Sequence, residues 1–333
     1  METVSFSIAN YCVPCHAHCG YCLLSSCGKA SGVPQKTGMA FAERIMRELA
    51  EVRPGLRVSY YFGYSMDTQE LPDYIRFCRK HHAPGGTFLQ MNGFAFRNPQ
   101  EIGALMRTIR KKGVELIDLT FFGTEEYHDR FAGRKGDFRF LLEMLTASKE
   151  AELPVNFSIP LLRENLDQVS ALHRMLSERG VQKFSFFLPH SKGRGRSIQD
   201  QRITRQEFDA LPEDIRHAFV RVKHMTEEEW LSSGEIADPV KRNLTLVLTP
   251  ENMNRLDALP AIDILTDLEV QDDHFLAQMP CASELAKRYG DPAGQQLFRL
   301  RDLLLKWQQK YIADTGNTLY DMHDETHSFS VHM

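Results

Sequence analysis

No apolar run in this 333-residue sequence approaches the length of a membrane span. Its first residues, Met1–Phe6, lack the basic start and apolar stretch of a secretory signal. A basic excess is also missing. The 40 lysines and arginines face 44 acidic residues, which leaves a net charge of −4 and a pI near 6.4. A duplex nucleic-acid partner is therefore not favoured. Internal repeats, low-complexity tracts and long charge blocks do not occur. Together these absences predict a cytoplasmic protein with neither a membrane nor a nucleic-acid partner. In a reducing compartment a disulfide framework is not expected, so clustered cysteines point to metal.

The remainder is an ordinary globular composition, 42% hydrophobic and 25% charged, in a chain long enough for a sizeable core. Short apolar or β-branched stretches at 4–10, 57–62, 87–91, 115–121, 155–159 and 183–188 read as strands. Helical spacing fills the intervals at 41–51, 70–81, 99–112, 138–151 and 166–179. Pro99 suits a first helical position, and Gly113 and Gly180 suit helix stops. This alternation predicts parallel β/α units. Six units are too few for a closed eight-fold barrel, so a partial barrel or an open sheet fits. In either, functional loops gather at the C-terminal ends of the strands.

Past residue 190 the pattern changes. Helical segments at 206–208 onward and 213–223, a strand at 243–248 and a long helix at 295–313 suggest an add-on. The division predicted is a core over 1–195 and a C-terminal extension over 196–333. The stretch Lys192, Arg194 and Arg196, spaced by glycines, reads as a solvated loop, with a phosphate or carboxylate contact as the alternative. The tail at 320–332, with His323 and His327 four apart, reads as a solvated terminus; a fold-over onto substrate is the alternative.

Five of the seven cysteines fall between residues 12 and 27. Cys15, Cys19 and Cys22 are spaced C-x3-C-x2-C, with Tyr21 before the last. Three thiolates on one short loop can hold three irons of a cubane cluster and leave the fourth open. The alternative is a zinc-stabilised interaction protein, with Cys12/Cys15 and Cys19/Cys22 as two knuckles near His16 and His18. Their separation is tighter than the dozen or so residues usual in zinc ribbons. Cys12 and Cys27 read as spare thiols and Cys78 as core.

With that loop after the first strand, the sequence resembles the radical S-adenosylmethionine enzymes, whose hallmark is CxxxCxφC with φ aromatic. Asn92-Gly93 resembles the family's "NG" after strand three. Leu119 through Asp129, followed by Gly133 through Phe138, resembles the strand-four region of the SPASM-related peptide-maturase branch. Pro189 and Gly193-Arg194-Gly195 resemble the segment closing the core. The resemblance implies a partial (β/α)6 TIM-like barrel, a [4Fe–4S] cluster on Cys15, Cys19 and Cys22, and S-adenosylmethionine at the open iron. It further implies reductive cleavage of that cosubstrate and hydrogen abstraction from a peptide or small-molecule substrate, with a flavodoxin- or ferredoxin-type electron donor. By position, Tyr21, Gly63, Tyr64, Asn92, Thr120 and Asn156 are the cofactor-binding candidates. Asn156, polar in an apolar strand, needs a partner if buried. Aromatics near strand ends, among them Tyr60, Tyr61, Phe62, Tyr64, Phe121 and Phe122, read as simple core, with lining of the reaction chamber as the alternative; Tyr21 and Tyr64 are the two assigned to the site.

The departures also inform. Phe62-Gly63-Tyr64-Ser65 stands where Gly-Gly-Glu is usual, so the acidic contact is missing. Ala132 replaces a frequent arginine, leaving Arg130 or Arg134 to serve instead. Cys281 is the single cysteine of the C-terminal part, too few for an auxiliary cluster, which makes a small metabolite as fitting a substrate as a peptide. His128-Asp129 either caps the next segment or approaches the site.

Overall fold

The computed structural model describes residues 1–26 and 28–316, so Cys27 and the tail at 320–332 lie outside the described residues. Six strands alternate with helices in order, and the fourth strand is followed by two of them. The strands are β1 (Glu2–Asn10), β2 (Arg57–Phe62), β3 (Phe88–Gln90), β4 (Leu116–Thr120), β5 (Val155–Pro160) and β6 (Lys183–Phe187). The helices are α1 (Gln35–Val52), α2 (Leu71–Lys80), α3 (Pro99–Lys111), α4 (Glu125–Ala132), α5 (Asp137–Glu150) and α6 (Leu166–Glu178). Beyond them lie α7 (Arg205–Asp209), α8 (Glu213–His217), β7 (Met225–Thr226), α9 (Glu227–Ser233), β8 (Lys241–Val247), α10 (Pro250–Asp257), α11 (Ala261–Gln278), α12 (Ala282–Tyr289), β9 (Leu297–Phe298) and α13 (Leu300–Thr315).

The strands run parallel in two sheets, ordered β2-β1-β8 and β3-β4-β5-β6, and β7 pairs with β9 antiparallel. This is the expected partial barrel, widened by one strand. Helix α3 shows the local logic. Asn98 accepts from the Glu101 amide while Glu101 reaches back to the Asn98 amide, and Pro99 occupies the first turn. After β4 the chain enters α4 from Thr124, with Glu125 and Glu126 in its first turn. Acidic residues there complement the helix dipole.

The expected helix at 213–223 stops at His217. Phe186 donates to the Ala218 carbonyl and Val220 to that of Phe186, so pairing with β6 displaces the helix. The chain after residue 195 also supplies β8, which lies along β1 from Glu2 to Ala9. The division at residue 195 is thus a proposal about folding units, and a strand from beyond it completes the sheet.

The two faces of the strands differ sharply. Phe6, Ile8, Tyr60, Phe62, Ile117, Leu119, Phe121, Phe157 and Ile159 are buried in one apolar core with the helices. Tyr60 packs on Phe77 of α2, Phe121 on Phe138 of α5, and Phe184 and Phe186 on His173 of α6. The opposite face is polar. Ser7 bonds Ser59 across β1 and β2, Ser5 bonds Asn243 of β8, and Asp118, Asn156, Ser158 and Ser185 bond across β4, β5 and β6. Tyr60, Phe62 and Phe121 belong to the helix side, as the core reading expects, because strict strand alternation assigns them there.

Candidate functional site

The cysteine loop follows β1 and is tied down by its neighbours' backbones. Gly63 and Tyr64, after β2, donate to Asn10 and Val13 at 2.6 and 2.7 Å. His16 donates to Gly93, after β3, at 3.0 Å. His18 and Gly20 donate to Ala132 and Phe131 of α4 at 2.8 and 3.0 Å. Arg194, after β6, donates its amide to the Cys22 carbonyl, its Nε to that of Cys19 and its Nη1 to that of Ser26. Gly93 has φ +77°, and a Cβ there would lie 2.2 Å from the Cys15 Sγ. Only glycine admits that approach.

The solvated-loop reading of residues 192–196 is therefore corrected. Lys192 is fully buried, and Arg194 is a clamp on the loop. Its planar, multi-donor guanidinium reaches two carbonyls at once, which a lysine ammonium on a flexible stem does less well. Arg194→Ala is expected to fold, yet to lose iron at least tenfold faster than wild type during gel filtration under an iron chelator. Equal retention would show that the clamp is dispensable.

The three thiols sit within electrostatic reach of one another. Burial pushes Cys15 up, and the neighbouring Cys22 adds to it. Burial pushes Cys19 well above the usual thiol range, with Cys15 and Cys22 adding. Such thiols become thiolates only beside a compensating positive charge, which bound iron supplies. As their side chains stand, no three His, Cys, Asp or Glu groups among the described residues converge on one metal ion. A cubane asks less, since its thiolates bind separate irons. The donor set therefore fits a cluster.

Cys12 stands apart. Burial pushes it up to about 11, and the charged side chain acting on it is Glu70 rather than another cysteine. Cys78, fully buried in α2, is likewise pushed by burial to about 11. At pH 8 both should alkylate with iodoacetamide roughly a hundredfold more slowly than an ordinary exposed thiol, while exposed Cys281 reacts readily. Peptide mapping of a timed reaction checks this; fast labelling of Cys12 would contradict its burial.

The remaining candidates group in part. Tyr21 packs among Phe122, Phe131 and Phe187, with ring centroids at 5.3, 6.3 and 6.0 Å. Burial holds its phenol well above the usual range, and its side chain bonds that of Thr120. Asn92 spends its amide on Thr120, accepting from the Thr120 N–H at 2.7 Å and donating to its carbonyl at 3.0 Å. Tyr64 stacks on Tyr11 at 4.6 Å. Asn156 donates to Asp118 and accepts from Ser185, so its side chain serves the polar face.

The choice for His128-Asp129 falls on structure. Asp129 caps α5 by accepting from the Gly136 and Phe138 amides. Buried His128 accepts from the Phe122 amide and meets Asp137 at 3.1 Å. Arg134 joins Asp137 at 3.2 Å and feels Cys15 and Cys19, whereas Arg130 lies over the Tyr127 ring. Asp118 was not foreseen. Its signal was a lone carboxylate inside a short buried strand, LIDLT.

No family model and no curated protein matches the sequence. The fold is similar to Streptococcus suis SuiB bound to its precursor peptide SuiA, at TM-score 0.51 and 12% identity, over 73% of this chain and 58% of that one. SuiB bound to S-adenosylmethionine matches at TM-score 0.47 and 14% identity, over 74% and 51%. Escherichia coli coproporphyrinogen III oxidase (HemN), a radical SAM enzyme, matches at 0.40 and 14%, over 62% and 50%. The chain thus spans half to three fifths of the length of these structures. At such identity the likeness is one of fold, and the fold is the partial barrel described above.

Proposed function

We propose that the protein is a radical S-adenosylmethionine enzyme acting on a peptide or a small polar metabolite. The observation that carries this reading is the anchoring of the C-x3-C-x2-C loop by the segments after β2, β3 and β6 and by the end of α4, at the mouth of a parallel barrel. Cys15, Cys19 and Cys22 hold the [4Fe–4S] cluster. When bound, cluster and cosubstrate supply reductive C–S cleavage and hydrogen abstraction.

The chain's own part is to position and to exclude water. Tyr21 and its aromatic neighbours cover one side of the loop, with its hydroxyl fixed by Thr120. Asn92 fixes the end of β4, and Gly63 and Tyr64 border the loop from β2. Asn156 acts from deeper in the barrel through Asp118. The SuiB–SuiA complex supports a peptide substrate; the hydroxyl-lined strand face supports a small polar one. A flavodoxin- or ferredoxin-type protein is the electron donor, and the cytoplasm is the setting.

Anaerobic reconstitution tests the proposal. About four irons and four sulfides per chain are expected, with a reduced-cluster spectrum that S-adenosylmethionine perturbs and formation of 5′-deoxyadenosine. Stoichiometric zinc without iron would replace this reading with the zinc-stabilised interaction protein.

A further inference from the structure

The polar face of β4, β5 and β6 carries one buried carboxylate, Asp118, only 2% exposed. Its Oδ1 accepts from the Asn156 amide and from the Ser158 hydroxyl at 2.7 Å. Ser185 in turn donates to the Asn156 Oδ1 at 3.3 Å, which fixes the amide's orientation. Its Oδ2 is buried and has no hydrogen-bond partner. No lysine or arginine among the described residues pairs with it, and its surroundings act through burial, Asn156 and Ser158 alone. Lys183, on the same face of β6, is exposed and two strands away.

A buried carboxylate without a counter-charge costs several kcal/mol, and native proteins retain few. This one lies two residues before Thr120, on the same side of β4, so it faces the lumen about 7 Å deeper than the residue that bonds Tyr21. The neighbouring inward positions Asn156, Ser158 and Ser185 are only partly buried, while the helix-facing Phe157, Ile159 and Phe186 are fully buried. The polar side is therefore less tightly packed than the helix side. Its neutral hydroxyls and amides can solvate a polar ligand, but only Asp118 can balance a charge.

We infer that Asp118 recognises a protonated amine on the substrate, its free Oδ2 accepting the ammonium hydrogen bond while Asn156, Ser158 and Ser185 position the carboxylate. The inference rests on the radical-enzyme reading for its use of the lumen as the substrate chamber. It narrows the substrate class to amine-bearing molecules: a lysine-like or amino-terminal group of a peptide, or a small amino metabolite.

The test uses the anaerobically reconstituted full chain and n-propylammonium chloride as probe. Matched sodium chloride and the uncharged isostere 1-propanol serve as controls. In thermal melts the wild type should show a saturable rise of about 2–4 °C with propylammonium and none with propanol. Asp118→Asn still accepts from Asn156 and Ser158 but loses the charge, and should show no rise. Asp118→Ser is read the same way. No saturable rise in wild type, an equal rise with propanol, or an undiminished rise in the variants overturns the inference. So does failure of both variants to fold, which would make Asp118 a structural group. Iron content is read on the same samples. Absent iron overturns the radical reading, whereas an absent amine effect with iron present overturns only this inference.

Discussion

Cys19→Ala is expected to stay folded and to lose the iron–sulfur cluster and S-adenosylmethionine cleavage together. Cys19 packs against the small buried cluster of Phe122, Tyr127 and Ala132, as do Tyr21 and Phe131. Alanine keeps the Cβ of that contact and removes one polarisable sulfur, a change of about 1–2 kcal/mol at most. The chemical loss is of another order. Two thiolates cannot hold a cubane against hydrolysis when the third iron has no protein ligand. After anaerobic reconstitution, iron and sulfide should fall from about four per chain to near background. 5′-Deoxyadenosine should be undetectable. Cys12→Ala is the matched control, since Cys12 lies apart from the three and answers to Glu70. It should keep its full iron content. A Cys19→Ala protein that still binds about four irons would remove Cys19 from the ligand set and return the loop to the zinc reading.

The sequence made the β/α repeat legible because parallel strands buried on their helix side carry aromatic and β-branched residues there, as in RVSYYF at 57–62, and glycine stops mark the helix ends. It hid elements wherever tertiary partners override local pattern. Helix α1 begins at Gln35, six residues before the expected start, because Gly38 stands where a Cβ would meet the Asn10 amide and the Tyr60 hydroxyl at 2.5 Å. Read locally, that glycine is only a helix breaker. Helix α11 escaped because buried Asp272 interrupts its apolar stripe, and Arg242 of β8 pairs with it at 2.7 Å. The cysteine loop was legible from spacing alone. Arg194 was not, since a clamp on carbonyls and a solvated basic loop share one composition. Asp118 needed the register of three strands before its missing partner could be seen.

The clamp in turn depends on a charge cluster far along the chain, and breaking it is the second large effect. Asp302 of α13 is 1% exposed. It accepts from the Arg299 Nε at 2.8 Å and from the Ser191 amide at 3.2 Å, and His190 stands 3.6 Å away. Arg202, fully buried beside it, donates to the carbonyls of Pro189 and Leu297. Burial alone would raise the Asp302 carboxyl, but Arg299, His190 and Arg202 outweigh it and hold the group well below the usual carboxylate range. Asp302→Asn strips the counter-charge from two buried guanidiniums and should cost about 3–5 kcal/mol, or roughly 4–7 °C in melting temperature. Because the folded carboxyl titrates lower than the unfolded one, its stabilisation is complete above the unfolded value of about 3.9 and is lost as pH falls through the folded value. The gap between wild type and Asp302→Asn should therefore be widest above about pH 5 and close in stronger acid. Ser191 and His190 lead directly into the segment that presents Arg194, so the variant should also shed iron sooner on warming. A gap that stays constant from pH 7 to pH 3 would mean that Asp302 contributes by packing, and the link from α13 to the cysteine loop would rest on shape alone.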